Sequence, residues 1–273
     1  TFERYDFKGN LVEKVRRVVS DAAIAAAGGW TADWTGDPVD ESPLEAQDYQ
    51  TNTVFDALDR PISITYPKDA RGNRAHLAPL YNRSGALQSV KLDGVAYVDS
   101  ITYNAKGQRV IIAYGNHIMT RYAYDAQSFR LVRLRSEKFS MPDNHTWKSA
   151  PESDAYSWLF QDFTYEYDLV GNITSIMDRT PGGGLPSTPG ALDRVFGYDP
   201  IYRLTHATGR ACPAPPPKPI WDDTVRCHDV TQATAYQQWY RYDAADNMAE
   251  LRHQSANTAN GYTKHLSLAA NQN

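Results

Sequence analysis

The stretch Tyr167-Asp168-Leu169-Val170-Gly171-Asn172-Ile173 decides how this chain folds. An aromatic residue precedes Asp, Gly follows three residues later, and an aliphatic residue then starts a new extended run. Asp is favoured at the first position of a type I turn and Gly at the fourth. Before the turn, Phe163, Tyr165 and Tyr167 alternate with polar residues, which is the period-two pattern of a strand. The stretch therefore predicts a β-hairpin.

The same motif occurs eight times, so one supersecondary unit is repeated along the chain. The copies begin with an aromatic residue followed by Asp or Asn, at positions 5, 55, 81, 103, 124, 167, 198 and 242. Several steps between copies are close to 21 residues or to twice that length, enough for two strands and two connections. We predict an all-β array of antiparallel β-hairpins that spans residues 1–273 as one repeat segment.

The fourth turn position is Gly in only half of the copies. The other copies carry Asp59, Ser128, Tyr202 and Asp246 at that position. Gly adopts the left-handed backbone conformation without steric cost, and of these replacements only Asp commonly tolerates it. We therefore expect the turn geometry to vary between copies.

Four segments interrupt the repeat and are predicted to be loop insertions, at about 20–50, 140–157, 178–194 and 209–232. In the first, Ser20 precedes an Ala-rich run that stops at Gly28, which predicts one short helix. The third contains Pro181-Gly182-Gly183-Gly184, typical of a flexible loop. The fourth contains Pro213-Ala214-Pro215-Pro216-Pro217, which predicts a short polyproline stretch in a surface linker.

Composition narrows the class of protein. The 273 residues carry a net charge of −4, with a pI of about 6.0, so we predict no nucleic-acid partner. No hydrophobic run approaches the roughly 20 residues of a membrane helix, so we predict no membrane span. Tyr outnumbers Phe, 18 to 8, which suits a half-buried sheet face with packed rings and hydroxyls in water. Two basic groups are predicted on exposed strand faces, where Glu or Asp can pair with them: Lys14, Arg16 and Arg17, and the run Arg130, Arg133 and Arg135.

The two cysteines, Cys212 and Cys227, exclude a disulfide framework. Both lie in the Pro-rich segment, where they either pair with each other or remain free thiols. A metal site needs more ligands than these two and His228 provide. We therefore predict no metal and no cofactor.

Catalytic motifs are missing from the sequence. Gly182-Gly183-Gly184 lacks the Lys-Ser/Thr of a phosphate-binding loop, and neither G-x-S-x-G nor H-E-x-x-H occurs. Asp222 and Asp223 are adjacent, so on a strand their side chains point to opposite faces. The aspartates of the repeat are already explained by turns. We predict that the chain is not an enzyme and has no catalytic, cofactor-binding or metal-binding residues. A glycosidase, the enzyme alternative, needs two carboxylates about 5–10 Å apart across one cleft.

The motif Tyr-Asp-x-x-Gly-Asn-Leu/Ile resembles the YD repeat of RHS (rearrangement hot spot) proteins, a family that extends to the teneurins. The resemblance covers nearly the whole chain. Four stretches resemble, more closely, the shell region of the B and C components of bacterial insecticidal toxin complexes: 55–61, 103–109, 120–125 and 198–210. The last stretch is the longest, Tyr198-Asp199-Pro200-Ile201-Tyr202-Arg203-Leu204-Thr205-His206-Ala207-Thr208-Gly209-Arg210.

This resemblance implies that the hairpins wind as a spiral into a hollow shell. The shell would enclose an unfolded C-terminal toxin polypeptide until a translocation channel takes it. The implied partners are the remainder of the same polypeptide, the toxin cargo and a translocation-channel subunit, and the implied location is secreted or associated with the cell surface. Asp199-Pro200 is followed by Ile201-Tyr202, so the family's Asp-Pro-x-Gly self-cleavage motif is not found and no catalytic residue is carried over. We also expect a fragment of a longer polypeptide, because the chain opens almost inside a repeat and ends without a capping unit.

An alternative function is a carbohydrate-binding or cell-surface adhesion module built from the same repeats. Exposed aromatic faces would then stack on the sugars of a glycan partner. The six tryptophans are the candidates for such faces, although we expect most of them to be packed or anchored in loops: Trp30, Trp34, Trp147, Trp158, Trp221 and Trp239.

Overall fold

The computed structural model describes residues 2–27, 41–140, 148–149, 158–180, 192–212, 233–256 and 260–267. These ranges hold eighteen strands and one short helix, α1 (Asp21–Ala27). The predicted all-β array of antiparallel hairpins is confirmed. The chain divides into two compact units, Thr1–Asn116 and His117–Asn273. No helix in the described ranges is long and apolar enough to cross a membrane.

The first unit is a meander in which each strand pairs antiparallel with its neighbours in sequence. Its strands are β1 (Phe2–Tyr5), β2 (Leu11–Arg16), β3 (Tyr49–Phe55), β4 (Pro61–Lys68), β5 (Arg74–Tyr81), β6 (Leu87–Leu92), β7 (Val95–Tyr103) and β8 (Arg109–Tyr114).

The second unit continues the same pattern. Antiparallel pairing runs from β9 through β10 to β12 and then strand by strand to β18, while β11 adds two residues to β10. Its strands are β9 (Ile118–Tyr124), β10 (Leu131–Ser140), β11 (Lys148–Ser149), β12 (Leu159–Tyr167), β13 (Ile173–Asp178), β14 (Arg194–Tyr198), β15 (Leu204–Ala211), β16 (Thr234–Tyr242), β17 (Met248–Ser255) and β18 (Tyr262–His265).

Connections in an antiparallel meander alternate between the two edges of the sheet. In each unit, all four repeat turns therefore lie on one edge, which we call the turn edge. The ends of β2, β10, β13 and β15, after which the insertions are predicted, lie at the opposite edge. Strand residues also occur inside three of the predicted insertions, because β3 starts at Tyr49, β11 lies at Lys148–Ser149 and β15 continues through Ala211.

The remaining local predictions have mixed outcomes. The short helix is confirmed, and Ser20 caps it by accepting a hydrogen bond from the Ala23 N–H at 3.2 Å. Cys212 is disulfide-bonded, so it is not a free thiol, and Cys227 lies outside the described residues. The stretches 181–184 and 213–217 also lie outside the described residues.

The turn after Tyr5 shows the geometry that the repeat encodes. The Gly9 N–H donates to the Asp6 carbonyl at 3.2 Å, and the Asp6 N–H donates to the Asn10 carbonyl at 3.0 Å. Oδ1 of Asp6 accepts the N–H groups of Lys8 (2.8 Å) and Asn10 (2.9 Å). Gly9 has a φ of 91°, in the left-handed region. One carboxylate oxygen thus organises the whole turn.

The expected variation between turns is wrong for three of the four copies that lack Gly. Asp59, Tyr202 and Asp246 take φ values of 60°, 69° and 66°, and each donates its N–H to the carbonyl of the first turn residue, as Gly9 does. The expectation is correct only after Tyr124. That turn is one residue longer, and Phe129 rather than Ser128 takes the positive φ, at 57°.

A further turn of this kind lies on the opposite edge, between β4 and β5. In Asp69-Ala70-Arg71-Gly72-Asn73, the Gly72 N–H donates to the Asp69 carbonyl at 2.9 Å, and Oδ1 of Asp69 accepts the Arg71 and Asn73 N–H groups. The eightfold repeat does not include it because Lys68, not an aromatic residue, precedes it. The Asp-x-x-Gly-Asn spacing alone identifies it.

The hydrophobic core is small. Seven apolar side chains among the described residues are buried: Ile101, Ile112, Ala113, Met119, Phe139, Leu159 and Ala207. Many large apolar side chains remain exposed, including Leu80 and Tyr97 on strands of the first unit. The hairpins are therefore stabilised mainly by their contacts with neighbouring hairpins.

A matched pair of substitutions tests the turns. We expect Gly9→Ala to cost about 1–2 kcal/mol of unfolding free energy, because a side chain in the left-handed region is strained. We expect Gly171→Ala to cost more. Its φ is 113°, and a Cβ there would lie 3.0 Å from a guanidinium nitrogen of Arg130, whereas nothing lies within 4 Å at Gly9. Urea unfolding measures both variants, and equal losses would contradict the expected order.

Candidate functional site

Five of the tyrosines that begin the repeats form a hydrogen-bonded ladder along the turn edge of their unit. Each hydroxyl donates to the backbone carbonyl of the residue that starts the second strand of the preceding hairpin. Tyr198 bonds to Ile173, and Tyr242 to Leu204, both at 2.9 Å. Three further bonds of the same kind measure 2.7–3.0 Å: Tyr81 to Pro61, Tyr103 to Leu87 and Tyr167 to Leu131. The expectation that the hydroxyls point to water is wrong for these five tyrosines.

Arginines that end the turns strengthen this ladder. Arg203 follows Asp199 by four residues, and its Nε donates to Oδ2 of that Asp at 2.6 Å. The same guanidinium lies over the ring of Tyr242, 4.7 Å from its centroid. Arg60 repeats the arrangement with Asp56, and lies 4.6 Å from the Tyr81 ring centroid. One arginine thus connects its own turn to the tyrosine that precedes the turn of the next hairpin.

Adjacent turns also bond directly to each other. Arg130 donates from Nη1 to the Asp168 carbonyl at 2.8 Å and from Nη2 to the Leu169 carbonyl at 3.2 Å. In the first unit, Lys8 Nζ donates to the Ala57 carbonyl at 2.8 Å and to Asp59 Oδ1 at 3.0 Å. Together with the tyrosine ladder, these bonds connect each turn to the next within each unit.

Hydrogen bonds lower the pKa of several turn aspartates. For Asp6 and Asp243, the largest cause is the hydrogen bond from the side-chain amide of Asn10 and Asn247, respectively, followed by backbone N–H groups. For Asp56, the largest cause of the lowered pKa is the hydrogen bond from Arg60. These carboxylates stay ionised because the ionised form accepts all of these bonds.

A second polar cluster ties together β9, β10 and β12. Glu137 has a fully buried side chain, and its two oxygens lie 2.5 Å from Arg121 Nη2 and 2.9 Å from Arg135 Nη2. The Arg121 contact lacks hydrogen-bond geometry, so Oε1 of Glu137 is held by charge alone. Arg133 makes a two-bond contact with the buried carboxylate of Asp162, at 2.6 and 2.7 Å.

Each buried carboxylate of this cluster is paired with arginine. The predicted pairing of Arg133 and Arg135 with acidic residues is confirmed, and both carboxylates are occupied by guanidinium groups. Removing one partner of such a buried pair typically costs about 3–5 kcal/mol. No three metal-ligating side chains come together within the described ranges. The prediction that the chain has no catalytic or cofactor-binding residues stays a prediction.

Two of the six candidate tryptophans lie within the described residues. Lys138 Nζ lies 6.0 Å from the ring centroid of Trp158. The guanidinium of Arg252 lies 5.4 Å from that of Trp239, whose other neighbour is the tilted ring of His206. Both rings therefore contact side chains of neighbouring strands, as expected for packed residues. Trp30, Trp34, Trp147 and Trp221 lie outside the described residues.

The fold and the turn edge define an array of repeat hairpins, and comparisons with known proteins identify its relatives. No family model matches the chain. Toxin subunit YenC1 of Yersinia entomophaga is 30% identical over 227 residues, covering 81% of this chain and 22% of YenC1. Toxin subunit YenC2 of the same organism is 28% identical over 256 residues, covering 89% of this chain and 24% of YenC2. The chain thus spans less than a quarter of these relatives.

Solved structures share the fold. The crystal structure of TcdB2-TccC3-Cdc42 matches with a TM-score of 0.69 and 24% identity, over 97% of this chain and 12% of that chain. A Photorhabdus luminescens Tc holotoxin pore matches with a TM-score of 0.65 and 25% identity, over 95% of this chain and 11% of that chain. The chain is homologous to Tc toxin subunits, and the resemblance to these YD-repeat toxin-complex proteins is confirmed.

Removing one hydroxyl tests the ladder. We expect Tyr198→Phe to lower the unfolding free energy by about 1 kcal/mol, because the Ile173 carbonyl loses its donor. Tyr202→Phe removes the hydroxyl of an exposed tyrosine in the next turn and should change the unfolding free energy by less than about 0.5 kcal/mol. Chemical denaturation compares the two variants, and equal effects would count against the ladder.

The lowered aspartate pKa values predict acid sensitivity. The unfolded chain has the ordinary Asp pKa of about 3.9, so the stabilisation is fully present above that pH. It is lost as pH falls through the lower pKa of the folded state, because the folded turns bind fewer protons. We expect the chain to lose stability below about pH 4 for this reason.

Natural turns provide the control for this pH dependence. Asn82 and Asn104 hold the same turn with an amide oxygen, which accepts two backbone N–H groups without titrating. The double variant Asp6→Asn and Asp243→Asn should therefore lose less stability between about pH 5 and pH 3 than the natural chain does. Unfolding curves measured across that pH range test this expectation. If the double variant lost as much stability in acid as the natural chain, the acid sensitivity would not come from these two aspartates.

Proposed function

We propose that this chain is a wall segment of the shell of a Tc-type B/C toxin component, and that the shell encloses a toxin polypeptide. One observation carries the proposal: the homology to YenC1 covers 81% of the chain, and the homologous region is a hairpin array bonded from neighbour to neighbour. On this proposal residues 1–273 act as one repeat segment.

The physical demands on such a wall match the contacts of this chain. A wall that retains a polypeptide must have no gap between successive hairpins. Strand pairing closes the sheet at each unit's centre, and the tyrosine ladder with the bonded turns closes it at the turn edge. Paired strands also protect their backbone groups from pairing with other chains.

The proposed role is structural, so the functional residues are those that form the wall. The turn aspartates shape each hairpin, the tyrosines join it to the previous one, and Arg133 with Asp162 joins two hairpins at the strands. The proposed partners are the remainder of the same polypeptide, the toxin cargo and a translocation-channel subunit. A secreted or cell-surface location is part of the same proposal.

Protease protection of the cargo tests this function. The gene is first sequenced beyond both ends of residues 1–273 to define the whole subunit. We expect a toxin segment in that subunit to resist protease much longer than the same segment expressed alone. The combined variant Tyr167→Phe and Tyr198→Phe should shorten that resistance, because losing about 1 kcal/mol per bond raises local opening about fivefold for each.

Tyr202→Phe is the control for this experiment, since its ring is exposed at the tip of a turn. It should leave the cleavage rate of the cargo unchanged. A natural subunit whose cargo is cleaved as fast as the free segment would contradict containment. A gene that encodes no further polypeptide beyond this region would contradict it as well.

A further inference from the structure

Three junctions join consecutive repeat hairpins in the second unit, and the one between β13 and β14 has the fewest paired residues. Within these two described strands, pairing occurs at Ser175 with Val195 and at Ile176 with Arg194. The junction between β10 and β12 has five residue pairs, and that between β15 and β16 has six. Few backbone hydrogen bonds therefore have to break for β13 and β14 to separate. We call this junction the β13–β14 seam.

Side chains hold the seam at both of its ends. At the turn edge, the Tyr198 hydroxyl donates to the Ile173 carbonyl at 2.9 Å. At the opposite edge, Oδ1 of Asp193 accepts the Asp178 N–H at 3.0 Å. Nη1 of Arg179 donates to both oxygens of the same carboxylate, at 3.0 and 3.3 Å. We call the contacts of Asp193 with Asp178 and Arg179 the Asp193 latch.

The Asp193 latch is accessible to water. The side chain of Arg179 is 46% exposed, and that of Asp193 is 26% exposed. Ion pairs with this exposure stabilise a fold only weakly, because water and salt screen the charges. The latch therefore holds the seam at a small cost of opening.

The two strands beside the seam are attached more firmly to their own hairpins. β13 pairs with β12 at five residues, and the Arg179 N–H donates to the Asp162 carbonyl of β12 at 2.7 Å. β14 pairs with β15 at three residues, and the Val195 N–H donates to Oγ1 of Thr208 on β15 at 2.8 Å. Opening of the seam thus separates two intact hairpins.

We propose that the second unit opens at the β13–β14 seam before its other hairpin junctions, and that the Asp193 latch controls this opening. A region with few backbone bonds and exposed side-chain contacts opens at a lower free energy than the rest of a fold. The opening is a property of this chain. Its consequence, a transient gap in a shell wall, rests on the proposed function.

Residue-resolved hydrogen exchange in the whole subunit tests the opening. The Asp178 N–H points to Asp193, so alternation along β13 directs the Ile176 N–H to the seam and those of Ser175 and Met177 to β12. After correction for intrinsic rates, we expect Ile176 to exchange at least tenfold faster than Ser175 and Met177. Equal exchange of the three amides would contradict a separate opening of the seam.

Removal of the Asp193 carboxylate tests the latch. We expect Asp193→Ala to speed exchange at Ile176 at least a further fivefold and to leave Ser175 within twofold, because β12 still holds that amide. Glu250→Gln is the matched control and should change exchange at Ile176 less than twofold. Glu250 also forms an accessible ion pair, with Arg241 at 3.6 Å, but between strands that pair at seven residues.

Two results with Asp193→Ala would overturn the latch. One is unchanged exchange at Ile176. The other is an equal acceleration at Ile176 and Ser175, because the substitution would then destabilise the whole unit rather than the seam.

A disulfide across the seam relates its opening to the wall. Ser175 and Val195 lie directly opposite each other, so the double variant Ser175→Cys and Val195→Cys brings two thiols together. The oxidised variant should slow exchange at Ile176 at least tenfold and lengthen the protease resistance of the cargo, compared with the natural subunit under the same conditions. Unchanged exchange at Ile176 would contradict the opening.

The two readouts fail independently. Slower exchange with an unchanged rate of cargo cleavage would contradict the gap in the wall, while the seam itself would stand. A natural subunit whose cargo is cleaved as fast as the free segment would contradict containment, and the exchange pattern along β13 would still decide whether the seam opens.

Discussion

The hydrogen bonds from backbone N–H groups to a single side-chain oxygen at the first turn position are the interaction on which the rest of the fold depends. In the turn at Asp199, Oδ1 accepts the N–H groups of Ile201 and Arg203, at 3.0 and 2.9 Å. These bonds specify the turn without help from a large core. That is why Tyr202 can occupy a left-handed position that otherwise favours Gly.

This turn also sets the spacing between hairpins. In the five pairs of the ladder, the length of the turn places the residue that starts the second strand beside the tyrosine that precedes the turn of the next hairpin. The hydroxyl of Tyr198 therefore meets the Ile173 carbonyl, and that of Tyr242 meets the Leu204 carbonyl. Where the turn is one residue longer, after Tyr124, the acceptor moves by one residue and Tyr167 bonds to Leu131. The ladder follows the strand start rather than a fixed count of residues.

The fold was largely predictable from the sequence because the turn signal is local. Asp, Gly and the alternating aromatics act within a few residues, so the hairpins and their antiparallel order follow from them. The tyrosine ladder was not predictable, since Tyr242 and Leu204 are 38 residues apart and meet only through strand pairing. Glu137 gave no sequence signal of its burial either, because burial depends on arginines contributed by two different strands.

The one repeat aromatic without a hydroxyl shows what the ladder does. Phe55 cannot donate a hydrogen bond, yet its hairpin still has to join the one before it. There the turns bond to each other instead, because Lys8 donates to the Ala57 carbonyl and Asn10 donates to Asp59 at 2.8 Å. Different residues thus supply the bond between consecutive hairpins at the turn edge. The turn-edge bond is thus the unit that the repeat preserves, and tyrosine is its commonest donor in this chain.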